Sequence, residues 1–134
     1  MSCFVISELG INHNGDIKIA KEMIKESKLC GASAVKFQKR DIDLVYDKEA
    51  LSSKRESPWG STFRHQKEGI EFGLEEYKQI DEYSKSLNIE WFASAWDLNS
   101  LDFLKQFKLK YNKIASAMII DKKFLEEVAK QGKH

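Results

Sequence analysis

Four times along the chain a run of strand length gives way to an amphipathic helical pattern, and that alternation restricts the possible folds more than any single residue does. The runs are "CFVISEL" (3–9), "SAVKFQK" (33–39), "IEWFASAW" (89–96) and "KIASAM" (113–118). After the first, Ile17, Ala20, Met23 and Ile24 recur at helical spacing, with Asp16 placed as an N-cap and Gly31 as a C-terminal stop. A helix with Tyr77, Ile80, Ser84 and Leu87 on one face precedes the third run. Leu98, Leu101 and Leu104 follow it, with Asp97 or Asn99 near the cap, and Asp121 opens a last helix with Phe124, Leu125 and Val128 inward. Strands separated by helices pair in parallel, because each helix carries the chain back to the same end of the sheet. The one irregularity is a polar segment, residues 40–73, between the second strand and its helix.

Two architectures share this order, an open doubly wound sheet and a (β/α)8 barrel. Each strand carries polar residues at or near its C-terminal end: Glu8; Lys36 and Gln38; Ser94; Ser116. In a barrel those ends converge on one mouth, whereas an open sheet gathers its site at a switch point, so the pattern favours the barrel. A complete barrel takes about 250 residues. The 134 residues here supply four βα units. The expected fold is therefore α/β with parallel strands, the N-terminal half of a (β/α)8 TIM barrel, over residues 1–134 as one partial-barrel domain.

Composition excludes several classes. A 42% hydrophobic chain holds enough apolar material for a core. Its 22 basic and 21 acidic residues are scattered to a net charge of +1, which offers no footprint for nucleic acid or an anionic membrane. Any anion must be held locally. No apolar stretch approaches the roughly 20 residues of a membrane span, and the N-terminus lacks a signal-peptide pattern, so a cytoplasmic location is expected. Cys3 and Cys30 have neither CxxC nor metal-type spacing and read as buried free thiols.

The chemistry concentrates in "SELGINHNGD" (7–16) and at the strand ends. Lys36 and Gln38 are two apart in a strand and share a face. A lysine inside a barrel needs an anion, because an unpaired buried ammonium costs several kcal/mol. Either a bound phosphate or carboxylate supplies it, or an internal salt bridge to Glu8 does. Glu8 could bind hydroxyls, act as a base or serve as a cap partner. Asn12 and Asn14 suit a turn, since asparagine tolerates left-handed backbone and Asn-Gly is a turn signal. His13 is a ligand, a general acid or a loop histidine, and one histidine alone is weak evidence for a metal. Ser94 and Ser116 have no adjacent His and Asp partners, so they suit hydrogen-bond donation to oxyanions better than nucleophilic attack. Trp91, Phe92 and Trp96 lack an accompanying basic stripe and read as packing.

Taken in order, "SELGINHNGD", "GASAVKFQK", "WFASAWD" and "KIASA", with "SPWGSTFRHQKEGIEFGLEEY" between them, resemble the N-terminal half of the sialic acid synthase family. That family also makes legionaminic and pseudaminic acid type sugars. The resemblance implies condensation of phosphoenolpyruvate with an N-acylmannosamine-type aldehyde, releasing phosphate and forming a nonulosonic acid. It further implies that Glu8 contacts the amino-sugar acceptor and that Lys36, Gln38, Ser94, Lys113 and Ser116 line the phosphoenolpyruvate pocket. Asn12, His13 and Asn14 belong to the signature loop at the same mouth. The divalent metal of the family, manganese or magnesium, has its histidine ligands on later strands, so no metal ligand is assigned in this sequence. Absent too, on this reading, are the C-terminal half-barrel and the antifreeze-like domain. The third motif reads "ASAWD" where many relatives have "STPFD", so Ser94 matches by position. Lys113 and Ser116 are an odd number of residues apart, and a bulge or strand end must bring them to one side.

The leading expectation is a nonulosonic acid synthase half-barrel, inactive alone and completed by a homo-oligomer or a complementary half-barrel. The alternatives are a non-catalytic assembly module, or another phosphoenolpyruvate-aldose condensing synthase of the same superfamily.

Overall fold

The computed structural model describes residues 3–133. In chain order its elements are β1 (Ile6–Gly10), α1 (Ile17–Leu29), β2 (Ala34–Lys39), α2 (Ile42–Val45), α3 (Lys48–Ser52), β3 (Lys54–Ser57) and β4 (Gly60–Thr62). There follow α4 (Phe63–Ile70), α5 (Leu74–Ser86), β5 (Glu90–Ala95), α6 (Leu98–Leu104), β6 (Lys113–Ile114) and α7 (Lys122–Ala129). The four strands foreseen from the sequence form one parallel sheet in the order β1-β2-β5-β6. Spatial order follows chain order and the helices return behind the sheet, which makes the fold a half-barrel.

Strand parity divides the side chains into two populations. On the helix-facing side, Val35 and Phe37 of β2 and Trp91, Ala93 and Ala95 of β5 are buried in one cluster with Ala20 and Ile24 of α1 and Tyr77 and Ile80 of α5. Leu101 and Leu104 of α6 extend it. Burying a side chain of this size contributes about 1.5–3 kcal/mol. Tyr77 is the centrepiece: fully buried, it stacks on Trp91 with centroids 5.6 Å apart and donates its hydroxyl to the Gln38 carbonyl at 2.8 Å. Trp91 in turn donates Nε1–H to Asp81 Oδ1 at 2.9 Å. The opposite face, carrying Ile6, Glu8, Lys36, Gln38, Phe92 and Ser94, is the barrel interior.

The polar segment 40–73 is a folded excursion. Asp41, Asp47 and Thr62 cap α2, α3 and α4, so its backbone groups are satisfied locally. β3 and β4 form a small antiparallel pair, and buried Leu51 and Ile70 anchor the whole. Arg64 of α4 pairs with Asp43 of α2 at 2.6 Å. The loop after β1 lies against α4: Gly15 has φ +70°, and a Cβ there would sit 2.0 Å from the Gly69 carbonyl oxygen. Only glycine fits both requirements.

Three expectations are corrected. Cys3 and Cys30 are free but exposed, because β1 starts three residues after Cys3 and Cys30 is the C-cap of α1, at the surface end of the helix. The first strand runs Ile6–Gly10 in place of 3–9. The fourth is only Lys113–Ile114, because Ser116–Met118 curls into a 3-10 turn that ends the extended backbone. No helix among the described residues is long and apolar enough to cross a membrane.

Asp97 locks the end of β5 to the exit of β2. Its carboxylate caps α6 by accepting from Ser100 N at 2.7 Å, and also accepts from Ser100 Oγ at 2.6 Å and Asp41 N at 2.7 Å. Asp97→Ala is expected to cost about 2–4 kcal/mol in urea unfolding, since a cap is lost and two further donors are stranded at a buried position. A loss under about 0.5 kcal/mol, the usual size for a surface change, would show that the lock is idle.

Candidate active site

The site begins with register. Glu8 of β1, Lys36 of β2 and Phe92 of β5 are direct cross-strand partners, and Gln38 is paired with Ser94 one step nearer the C-terminal ends. Parallel strands in register thus set a carboxylate, an ammonium, an amide and a hydroxyl on one concave face. Lys36 is 7% exposed. Its Nζ forms an ion pair with Glu8 Oε2 and donates to Ser94 Oγ at 3.2 Å. The Glu8 side chain is 54% exposed, so one end of the pair is buried and the other open to solvent.

Gly10 makes room for this arrangement. With φ +57° it sits beside a register shift in β1, and a Cβ would come within 3.2 Å of Glu8 Oε1 and 3.3 Å of Gln38 Nε2. Two cavities meet at Lys36. One, of about 150 Å³, is lined by Lys36, Gln38, Ser94, Trp96, Lys113, Ala115 and Ser116. The other, of about 420 Å³, is more apolar, with Phe4, Ile6, Phe92 and Tyr111 beside Glu8, Lys36 and Lys113. Lys113 is exposed and its ammonium donates to the Ile114 carbonyl at 2.7 Å. The end of β6 and the 3-10 turn after it resolve the odd spacing of Lys113 and Ser116, and both border the smaller cavity.

The loop residues go elsewhere. Asn12 and Asn14 are exposed in successive turns, Asn14 with φ +49°, a geometry asparagine tolerates. His13 points to the helix-facing side of the sheet, away from Lys36. It is 2% exposed, stacks on Phe72 with centroids 3.9 Å apart, and lies 6.0 Å from Phe37. Nδ1 accepts from Gly15 N at 3.2 Å, which places the proton of the neutral ring on Nε2. Burial pushes its pKa down from 6.5 to about 4.

One residue escaped the sequence reading. Arg40 continues the Lys36, Gln38 alternation by one step, is 8% exposed, and holds its guanidinium 4.4 Å from the Trp96 ring centroid. It also donates through Nη2 to Gln38 Oε1, which turns the Gln38 amide nitrogen towards Gly10 and Glu8. The signal was the period of two; what hid it was the apparent end of the apolar run.

A parallel half-barrel with lysines, hydroxyls and an amide gathered on the concave face of its strands is a TIM-barrel-type domain with a polar mouth. Residues 23–134 match the NeuB family, and the chain belongs to that family. It is 35% identical over 133 residues to N-acetylneuraminate-9-phosphate synthase of Mus musculus, covering 98% of this chain and 37% of that protein. It is 36% identical over 132 residues to N,N'-diacetyllegionaminic acid synthase of Legionella pneumophila, covering 96% and 37% respectively. Among solved structures, the N-acetylneuraminic acid (sialic acid) synthetase of Leptospira borgpetersenii in complex with citrate superposes with a TM-score of 0.83 at 30% identity. That match covers 99% of this chain and 43% of the Leptospira chain. The chain therefore spans less than half the length of these relatives.

His13 makes the fold sensitive to acid. Its folded pKa lies below the unfolded value, so its neutral form favours the folded state, fully above pH 6.5 and progressively less as pH falls towards 4. The loss over that window is about 3 kcal/mol at most. Unfolding free energy measured between pH 7 and 4 should fall more steeply for the parent than for His13→Phe. Parallel curves would mean that the ring is not buried in its neutral form.

Proposed function

We propose that the chain contributes the phosphoenolpyruvate-binding half of a nonulosonic acid synthase. The observation that carries the reading is Lys36: a buried ammonium midway along β2 on the barrel-interior face, held between Glu8 and Ser94. Relatives named as sialic and legionaminic acid synthases support it.

In this reading Lys36, with Lys113 and the Ser94 and Ser116 hydroxyls, receives the phosphate and carboxylate of phosphoenolpyruvate. Charge-assisted bonds to preorganised donors neutralise and orient that charge without covalent attachment. Glu8, freed from Lys36 as the anion enters, accepts from hydroxyls of an N-acylmannosamine-type sugar. The methylene carbon of phosphoenolpyruvate then bonds to the aldehyde carbon, water adds at the enol carbon, and phosphate leaves with its bridging oxygen. Holding carbon against carbon is a proximity problem, and the paired strand ends address it. Gln38, oriented by Arg40, contributes an amide donor, and Asn12, Asn14 and His13 shape the loop beside it.

The divalent metal expected of the family, manganese or magnesium, has no fit here. Among the described residues no three His, Cys, Asp or Glu side chains converge on a metal site. Its ligands would come from outside these 134 residues. The interior face also argues that the chain works with further strands: Phe4 and Ile6, which line the larger cavity, are 46% and 47% exposed. A complementary half-barrel or a second copy would cover them, and the chain alone would be inactive.

Calorimetry of phosphoenolpyruvate binding tests the anion assignment. Lys36→Ala should weaken binding at least about tenfold, the loss of one charge-assisted contact. Equal affinity for parent and variant would remove Lys36 from the site. Phosphate release from phosphoenolpyruvate and N-acetylmannosamine, with manganese, should appear only when a C-terminal half-barrel from a relative is added. Turnover by the chain alone would overturn the proposed incompleteness.

A further inference from the structure

Arg40 carries its charge into a place without a counter-charge. It is more than nine-tenths buried, and among the described residues no carboxylate side chain makes an ion pair with its guanidinium. The backbone on either side of it is pinned to the end of β5: Trp96 N donates to the Lys39 carbonyl at 3.1 Å, and Asp41 N donates to Asp97 Oδ2 at 2.7 Å. Its side chain lies over the Trp96 ring, with the guanidinium 4.4 Å from the centroid, and that same ring borders the 150 Å³ cavity beside Lys36 and Gln38. A buried guanidinium resting on an aromatic face is only partly compensated, and an apolar side chain of similar length would fill the space without that cost.

The effect of the charge is seen one step back along the strand. Arg40 Nη2 donates to Gln38 Oε1, and because a guanidinium has donors only, the amide must keep its oxygen towards Arg40. The Gln38 nitrogen is left facing Gly10, where an added Cβ would stand 3.3 Å from Nε2 and 3.2 Å from Glu8 Oε1. Oε1 is the Glu8 oxygen that Lys36 does not take, since the ion pair runs through Oε2. The space over Gly10 is thus bordered by one acceptor and one donor. A hydroxyl satisfies both, donating to the carboxylate and accepting from the amide. With the amide reversed it would meet two acceptors and could satisfy only one.

We propose that Arg40, seated on Trp96, is a positioning residue that fixes the Gln38 amide, so that Gln38 and Glu8 grip one hydroxyl of the acceptor sugar between a donor and an acceptor. This rests on the synthase reading and adds to it the residues that set the site's selectivity for a hydroxyl. Arg40 acts through Gln38, and Trp96 acts through Arg40. Gly10 leaves the space in which the grip closes.

Nuclear magnetic resonance on the isotope-labelled chain reads the amide with no ligand present. Overhauser contacts from the Gln38 Nε2 protons to the Gly10 Hα protons are expected in the parent and in Trp96→Phe, which keeps a ring under the guanidinium. In Arg40→Met and Trp96→Leu they should drop to about half, because an untethered terminal amide torsion is roughly two-fold. In calorimetry Arg40→Met should bind N-acetylmannosamine at least about tenfold more weakly than the parent, with phosphoenolpyruvate affinity unchanged. Its stability in urea should equal or exceed the parent's. A merely structural arginine would give the opposite pattern, lower stability with both ligands weakened together. That pattern, or an amide contact that survives Arg40→Met, would overturn the proposal. Lys36-dependent binding of phosphoenolpyruvate by a parent chain that ignores N-acetylmannosamine would overturn the hydroxyl grip and leave the anion site standing. Phosphoenolpyruvate binding that ignores Lys36 would remove the synthase reading and the grip with it, and the amide contact would still decide whether Arg40 orients Gln38.

Discussion

A single buried ammonium sets the terms for the interior of this half-barrel. Lys36 stands in the central part of the sheet with its charge almost wholly withdrawn from water, and the ion pair with Glu8 and the bond to Ser94 make that tolerable. Neither partner could reach it unless β1, β2 and β5 ran parallel in the register observed. The packing of the helices, the left-handed turn at Gly10 and the pairing of β5 with β6 all bear on where that charge sits. The pair is also one-sided, since Glu8 is half exposed while Lys36 is buried.

Parity lets stability and chemistry share the same strands. Phe37 and Trp91 are buried against helices while their neighbours Lys36 and Phe92 face the interior. Substitution on one face therefore need not disturb the other. Tyr77 links the two, because its ring belongs to the outer core and its hydroxyl holds the backbone of Gln38. His13 belongs wholly to the outer layer: a polar loop residue recruited into packing, at the expense of stability in acid.

The fold was largely legible in the sequence, because the alternation of apolar runs and helical patterns is a local property with a forced global outcome. Asp16, Asp97 and Asp121 were readable as caps, and all three accept the expected backbone hydrogen bonds. The excursion was not legible. Its elements are short, and what organises them is contact at a distance: Arg64 with Asp43, Gly15 against Gly69, Leu51 and Ile70 in shared burial. The fourth strand was overestimated for a related reason. Two paired residues suffice at the sheet edge, and nothing local marks where pairing stops.

Among the site residues, Glu8, Lys36, Gln38 and Ser94 were identifiable because period two and strand ends are written in the residue order. Their meeting was a consequence of parallel pairing, and the structure has it. The sequence by itself determined the βα repeat, the faces of the strands and the family to which the motifs belong. Only the tertiary structure decided that His13 turns away from the mouth, that Glu8 is the counter-charge of Lys36, and that Arg40 stacks on Trp96. The reason is physical: periodicity says which way a side chain leaves its own strand, whereas the sign and distance of the charge it meets depend on another part of the chain.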